Sequence, residues 1–130
     1  MKLLEILDIL NTRILTEQVT LQKSIESVYC ADLMSDVLSF SVTNSLLVTG
    51  LTNTQVVRTA EMAAIEVIVF VQGKQPDLQT VSLAEEKDIL MLVTDFSMFE
   101  TCGRLYEKGL RSQCQPFHRA PITSWHAESG

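Results

Sequence analysis

The chain has 130 residues, of which 46% are apolar and 20% charged, and its formal net charge is −6. That length and apolar content suit one folded domain with one core and exclude a disordered chain. The acidic balance repels nucleic-acid phosphates and anionic lipid, so neither is an expected general partner.

Leu3, Leu7 and Leu10 recur at helical spacing, with Leu4, Ile6 and Ile9 widening the apolar face, and predict a short, largely buried helix. Lys2-Leu3-Leu4 begins like a secretion signal, but Glu5 and Asp8 interrupt the run where such a signal must be apolar. Asn11-Thr12 ends the helix. Arg13–Thr16 predicts a short strand, and Ser24–Cys30, β-branched and aromatic, a second one. In Asp32–Phe40 the acid is placed to cap a helix whose apolar side carries Leu33, Val37 and Phe40.

Ser45–Thr49 predicts the next strand. Thr52-Asn53-Thr54-Gln55 has the form of a capping box, so a helix is expected to start there, with Val56, Ala60 and Ala63 along its apolar stripe. Ile65–Val71 is broken only by Glu66, as in a strand buried on both faces. Asp77 is placed to cap the following helix, with Leu78, Val81 and Ala84 inward. Ile89–Val93 is another buried strand. Ser97-Met98-Phe99-Glu100 repeats the capping-box pattern before a helix with Phe99, Cys102 and Tyr106 on one stripe, Met98 and Leu105 beside it, and Gly109 at its end. Beyond Leu110 periodicity stops, and Pro116 and Pro121 break the chain. Residues 1–110 are therefore expected as one α/β domain and 111–130 as an extended or disordered tail.

Alternating strands and helices predict a mostly parallel sheet. No purely apolar run exceeds that of Val67–Val71, far short of the roughly 20 residues that cross a bilayer. A cytoplasmic protein without membrane contact is expected. Cys30, Cys102 and Cys114 are odd in number and lack a CxxC pair, which fits neither a secreted disulfide framework nor a structural zinc site. Cys30 and Cys102 are expected as buried free thiols.

Three loops join a strand's carboxyl end to a helix start: Thr49–Asn53, Gly73–Asp77 and Thr94–Ser97. In a parallel sheet these share one edge, and helix N-termini there offer unpaired N–H groups to an anion. Thr49, Gly50, Asn53, Gly73, Lys74 and Thr94 are the candidate ligand residues, Lys74 supplying a full positive charge. The same helix starts serve equally as plain structural caps. Asp32 and Asp36, four apart, add a candidate acidic pair for acid–base or metal chemistry, although no third metal ligand follows by spacing. Catalytic signatures are missing: there is no GxxxxGK[ST], GxSxG or HExxH, and both histidines, His118 and His126, lie in the tail. Cys114 with these histidines fits no strong metal pattern. No metal or cofactor is expected.

The stretches DLMSDVLSF at Asp32–Phe40, LLVTGLTNTQVVRTAEMAA at Leu46–Ala64, VFVQGKQPD at Val69–Asp77 and SMFETCGRLYEKGL at Ser97–Leu110 resemble, in order and spacing, the DRTGG-domain family. Such domains are similar to the N-terminal domain of HPr kinase/phosphorylase and also occur as small free-standing bacterial proteins. The resemblance implies a three-layer α/β/α fold and a regulatory or interaction role without catalysis. The chain departs from the family label: Thr-Gly-Gly appears as Val71-Gln72-Gly73, Asp36 takes the place of the leading Asp, and its Arg has no clear counterpart.

The expected function is a non-catalytic module that senses a small anionic metabolite or nucleotide, or that assembles with a protein partner. The rival is a small enzyme of phosphoryl or acyl chemistry using Asp32, Asp36 and Lys74. A third reading is a redox-linked accessory protein using Cys102, against which its place beside Tyr106 on the apolar stripe argues for packing. Met34, Met62, Met91 and Met98 could be shared between subunits, and a homodimer is expected.

Overall fold

The computed structural model describes residues 1–17, 22–39 and 44–112. In chain order its elements are α1 (Leu3–Leu10), β1 (Arg13–Ile14), β2 (Ser27–Cys30), α2 (Met34–Ser39), β3 (Ser45–Thr49), α3 (Thr54–Met62), β4 (Val67–Phe70), α4 (Leu78–Glu86), β5 (Leu90–Val93) and α5 (Met98–Glu107). Every residue of β3, β4 and β5 is buried. Strands of Val, Leu, Ile and Met with no polar face need cover on both sides, and helices supply it.

The strands form one sheet in the order β1-β5-β4-β3-β2. β2, β3, β4 and β5 are mutually parallel, with Leu46 opposite Val67 and Val67 opposite Leu90. β1 closes the far edge antiparallel, placing Arg13 opposite Val93. Because side chains alternate along a strand, the sheet feeds two cores. On one face Leu47, Ile68, Phe70, Met91 and Val93 meet Met34 and Val37 of α2, Val56, Val57 and Ala60 of α3, and Ala84 of α4. On the other, Leu46, Val48, Val67, Val69 and Leu92 meet Leu3, Ile6 and Leu10 of α1 and Leu105 of α5. The fold is thus α/β/α in three layers with a mostly parallel sheet, as expected. None of the described helices is long and apolar enough to cross a membrane.

Several local expectations shift. The first two strands and the second helix are shorter than their predicted spans, and Phe40 lies outside the described residues. Leu33 and Leu78, expected inside, are 60% and 85% exposed, while Met34 and Thr80 take the buried positions. α5 turns by about one residue relative to the predicted stripe. Thr101 and Leu105 are buried, whereas Phe99 and Tyr106 are 87% and 61% exposed. Two overlapping apolar stripes run along this helix, and packing against α1 selects the one through Met98 and Leu105. Cys30 is exposed and Cys102 half-buried, so neither is the buried core thiol expected. Met34 and Met91 are consumed by the core of the single chain, while Met62 is exposed. At the end of α5, Leu110 is buried and the Arg111 carbonyl accepts the Val28 N–H at 3.2 Å on the β2 edge. Of the expected tail, residues 113–130, with Cys114, His118 and His126, lie outside the described residues.

Candidate functional site

Four loops leave the carboxyl ends of the parallel strands, and the candidate residues fall into two groups on that edge. The first centres on β3. Asp32, just past β2, does not turn back to cap α2. Its Oδ1 accepts the Thr49 hydroxyl at 3.0 Å and the Gly50 N–H at 2.8 Å. The Thr49 Oγ1 in turn accepts the Leu51 N–H at 3.2 Å, so one carboxylate fixes the whole bend out of β3. Both hydrogen bonds fall on Oδ1. From the next loop Lys74 reaches the same place: a Cβ built on Gly50 would stand 3.6 Å from both Asp32 Oδ1 and Lys74 Nζ. A Cβ at position 50 would meet both at ordinary van der Waals distance, so the carboxylate and the ammonium flank the same stretch of backbone without requiring glycine there.

The second group lies between β4 and β5. These neighbouring strands feed helices on opposite faces, α4 against one core and α5 against the other. That divergence is the topological position where α/β sheets open a crevice. Here the crevice is bridged by backbone hydrogen bonds. The Gly73 N–H donates to the Thr94 carbonyl at 2.8 Å, and the Gln72 N–H to the Phe96 carbonyl at 2.8 Å. Gly73 has φ +67°, and a Cβ there would come within 3.1 Å of Asp95 Oδ1, so backbone and space both favour glycine. Thr94 is fully buried and donates its hydroxyl to the Leu10 carbonyl at 2.6 Å, tying the loop to the end of α1. It presents no side-chain atom to solvent. The antiparallel pairing of β1 brings Arg13 to this edge, where its guanidinium meets Asp95 at 3.3 Å.

The helix starts differ. The Asp77 carboxylate accepts the Thr80 N–H at 2.8 Å, and its bonds to Thr80 hold the acid below its ordinary range. The Ser97 hydroxyl accepts the Glu100 N–H at 3.2 Å; the Glu100 carboxylate meets Arg104 at 2.9 Å, so its side chain is engaged toward the helix. At α3 the cap is Asn53, not Thr52, and its side chain makes no capping bond. Asn53 and Lys74 are exposed on the same edge, and Asp36 is exposed on α2. The edge therefore joins Asp32, Thr49, Gly50 and Lys74, sets Gly73 and Thr94 in the scaffold beneath, and leaves Asp36 outside the hydrogen-bonded group. Sequence reasoning missed Arg13 and Asp95. Arg13 carries no local sign of its place, because only the pairing of β1 with β5, some eighty residues apart, puts it there.

Concavities are also found away from this edge among the described residues. A cleft of about 240 Å³ at the amino edge is lined by Lys23, Glu66, Glu85 and Asp88. Lys23 is ion-paired with Glu66, leaving that cleft acidic and unfit for an anion. A shallow groove between α1 and α5 is bordered by Asp8, Phe99, Arg104 and Glu107, with Arg104 already held by Glu100. Among the described residues no cluster of His, Cys, Asp and Glu could hold a metal ion.

No curated protein matches the sequence. Among solved structures, the chain resembles the CBS and DRTGG domains of the regulatory region of a Clostridium perfringens pyrophosphatase, in complex with its activator diadenosine tetraphosphate. The TM-score is 0.62 at 15% identity, over 80% of this chain and 45% of that one, so this chain spans less than half of the neighbour and the likeness is one of fold. The sequence over residues 5–107 matches the DRTGG domain, with the three-layer sheet and carboxyl-edge loops described above, and the chain belongs to the DRTGG-domain family.

Proposed function

We propose that this chain is a regulatory module that binds a small anionic metabolite of the nucleotide class at the carboxyl edge of its sheet and performs no catalysis of its own. The observation that carries this reading is the convergence of Asp32 and Lys74 over Gly50. An ammonium beside bare backbone suits a phosphate, and the second oxygen of an adjacent carboxylate suits a sugar hydroxyl. The α3 start, without a side-chain cap, adds backbone N–H groups and partial positive charge next to it. The regulatory region of the pyrophosphatase supports the ligand class, since its activator is a dinucleoside polyphosphate. The arrangement of the carboxylates supports a non-catalytic role: Asp32 is engaged as a loop anchor, and Asp36 stands exposed on another element.

The test is calorimetric titration of the full chain at low salt with diadenosine tetraphosphate, ATP, AMP and inorganic phosphate. Saturable binding of at least one nucleotide is expected. Lys74→Glu should weaken it about tenfold or more while moving the melting midpoint by no more than about 1–2 °C, because an exposed loop charge contributes little to stability. Unchanged affinity in Lys74→Glu, or ligand-induced shifts confined to the amino-edge cleft, would overturn the site. Chemical turnover of the bound nucleotide would overturn the non-catalytic assignment.

A further inference from the structure

β1 runs antiparallel to β5, so its first residue, Arg13, stands at the carboxyl edge of the sheet, opposite Val93. Among the described residues, Lys74 is the cation carried by the loops that leave the parallel strands at this edge, and Arg13 joins it from β1. Arg104 approaches from α5, but its guanidinium lies over the Phe96 ring at 4.1 Å and is held by Glu100. One loop links the other two cations. A Cβ on Gly73 would stand 3.1 Å from Asp95 Oδ1, the oxygen that meets Arg13 Nη1 at 3.3 Å, while the neighbouring Lys74 reaches the other way, to Gly50. Lys74 thus serves the end of β3 and Arg13 the end of β5, two strand spacings or about 10 Å apart. We propose that Arg13 is the second anchor of the edge site, and that together with Lys74 it selects a nucleotide with an extended polyphosphate chain over a monophosphate. The inference rests on the edge site proposed above and names the ligand more closely.

A single phosphate touches one of two cations held that far apart, whereas a phosphate chain touches both. Gly73, between them, presents no side chain to the passing chain. The contact with Asp95 engages Arg13 through Nη1. A guanidinium carries five donors in a planar fork, so Arg13 can keep this carboxylate on one side and give its remaining N–H groups to phosphate oxygens on the other. The arginine side chain is 51% exposed, which leaves that second side open to a ligand. Asp95 offsets the Arg13 charge at long range. An anion therefore gains from Arg13 at hydrogen-bond distance, where the distal phosphates of a chain arrive and a monophosphate seated on Lys74 does not.

Calorimetric titration of the full chain with AMP, ADP and ATP at low salt reads affinity against phosphate number at constant nucleoside. Wild-type affinity should rise along the series. Arg13→Gln should weaken ATP about tenfold or more and leave AMP within about twofold, since the lost contact is a charge-assisted hydrogen bond to the distal phosphates. Arg13→Lys, which keeps the charge, should recover part of the loss. Lys87→Gln makes the same change of charge where α4 ends, at the opposite edge, and should move neither affinity. A wild type that binds AMP as tightly as ATP overturns the inference. So does an Arg13→Gln variant that leaves ATP unchanged or weakens AMP and ATP by the same factor. If Lys74→Glu still weakens binding in that case, the edge site stands and only the second anchor falls. If Lys74→Glu also leaves affinity unchanged, the edge site itself is wrong and both readings fall together.

Discussion

At the residue scale, two buried threonines show how the surroundings decide what a hydroxyl is worth. Thr94 donates to the Leu10 carbonyl, one of the carbonyls left over at the end of α1, at 2.6 Å. Thr101 is equally buried, but its Oγ1 has no partner among the described residues. The same isosteric change should therefore act with opposite signs. Thr94→Val should cost about 1–3 kcal/mol by orphaning a buried carbonyl, and Thr101→Val should be neutral or stabilise by up to about 1 kcal/mol. Urea denaturation of the two variants checks both. Asp77 offers a test in pH. Its folded pKa is depressed by Thr80, so its contribution is present above the ordinary carboxylate value and is lost as pH falls through the folded one. The stability difference between wild type and Asp77→Asn should be flat from neutrality down to about pH 5 and change below it, as the acid protonates and Asn does not. A difference that stays constant down to about pH 3 would show that the charge at this cap is energetically idle.

At the element scale, the parallel core was open to prediction and its trim was not. Three runs of β-branched and aliphatic residues, nearly free of polar interruptions, admit little other than strands covered on both faces, and Ser45–Thr49 was found at its predicted bounds. β4 and β5 pair in parallel, with Val69 opposite Leu92 at full burial. Val69→Asp would place an uncompensated carboxylate between α1 and the sheet, and the domain should fail to fold, read as loss of the cooperative melting transition. The helix faces were harder. The apolar arc of α5 runs from Leu105 through Met98, Cys102 and Tyr106 to Phe99, about a third of the circumference, and sequence periodicity alone could not say which end of it, Phe99 or Leu105, turned inward. That choice is made by α1, which is distant in the chain. The candidate site was legible to the same extent. The glycines, the lysine and the helix starts signalled a loop-lined edge, but the turning of Asp32 towards Gly50, and the arrival of Arg13 beside Asp95, are tertiary events.

At the scale of the whole molecule, the chain stays part of the packed structure for four residues beyond the end of α5, as far as Arg111. Leu110 is 3% exposed within the core beneath α1 and α5, and Arg111 makes a bridge to Ser27. A chain cut after Ser112 should melt within about 2 °C of the full-length protein if the remainder contributes little to the core. A chain cut after Gly109 loses the buried leucine and the cover on β2, and should be destabilised by about 2–5 kcal/mol. A large loss from the cut after Ser112 would place Phe117, Ile122 or Trp125 against the core or another subunit.

The pairing of β1 with β5, and of α1 with α5, also fixes an order of events during synthesis. The strands from β2 to β5 are laid down side by side, each next to the one made before it. The segment α1–β1 meets residues Lys23 to Ile25 early, through the Leu3 N–H to the Lys23 carbonyl, but its pairings with β5 and α5 wait until those are made. Until then Leu46, Val48, Val67 and Val69 have only α1 of their two covering helices available. Domains tend to fold as units as they are translated, and long-range closure is slow. A transcript truncated before α5 would thus yield a half-covered sheet, a natural client for holding chaperones, whereas one that reaches Leu110 supplies both helices that cover this face among the described residues.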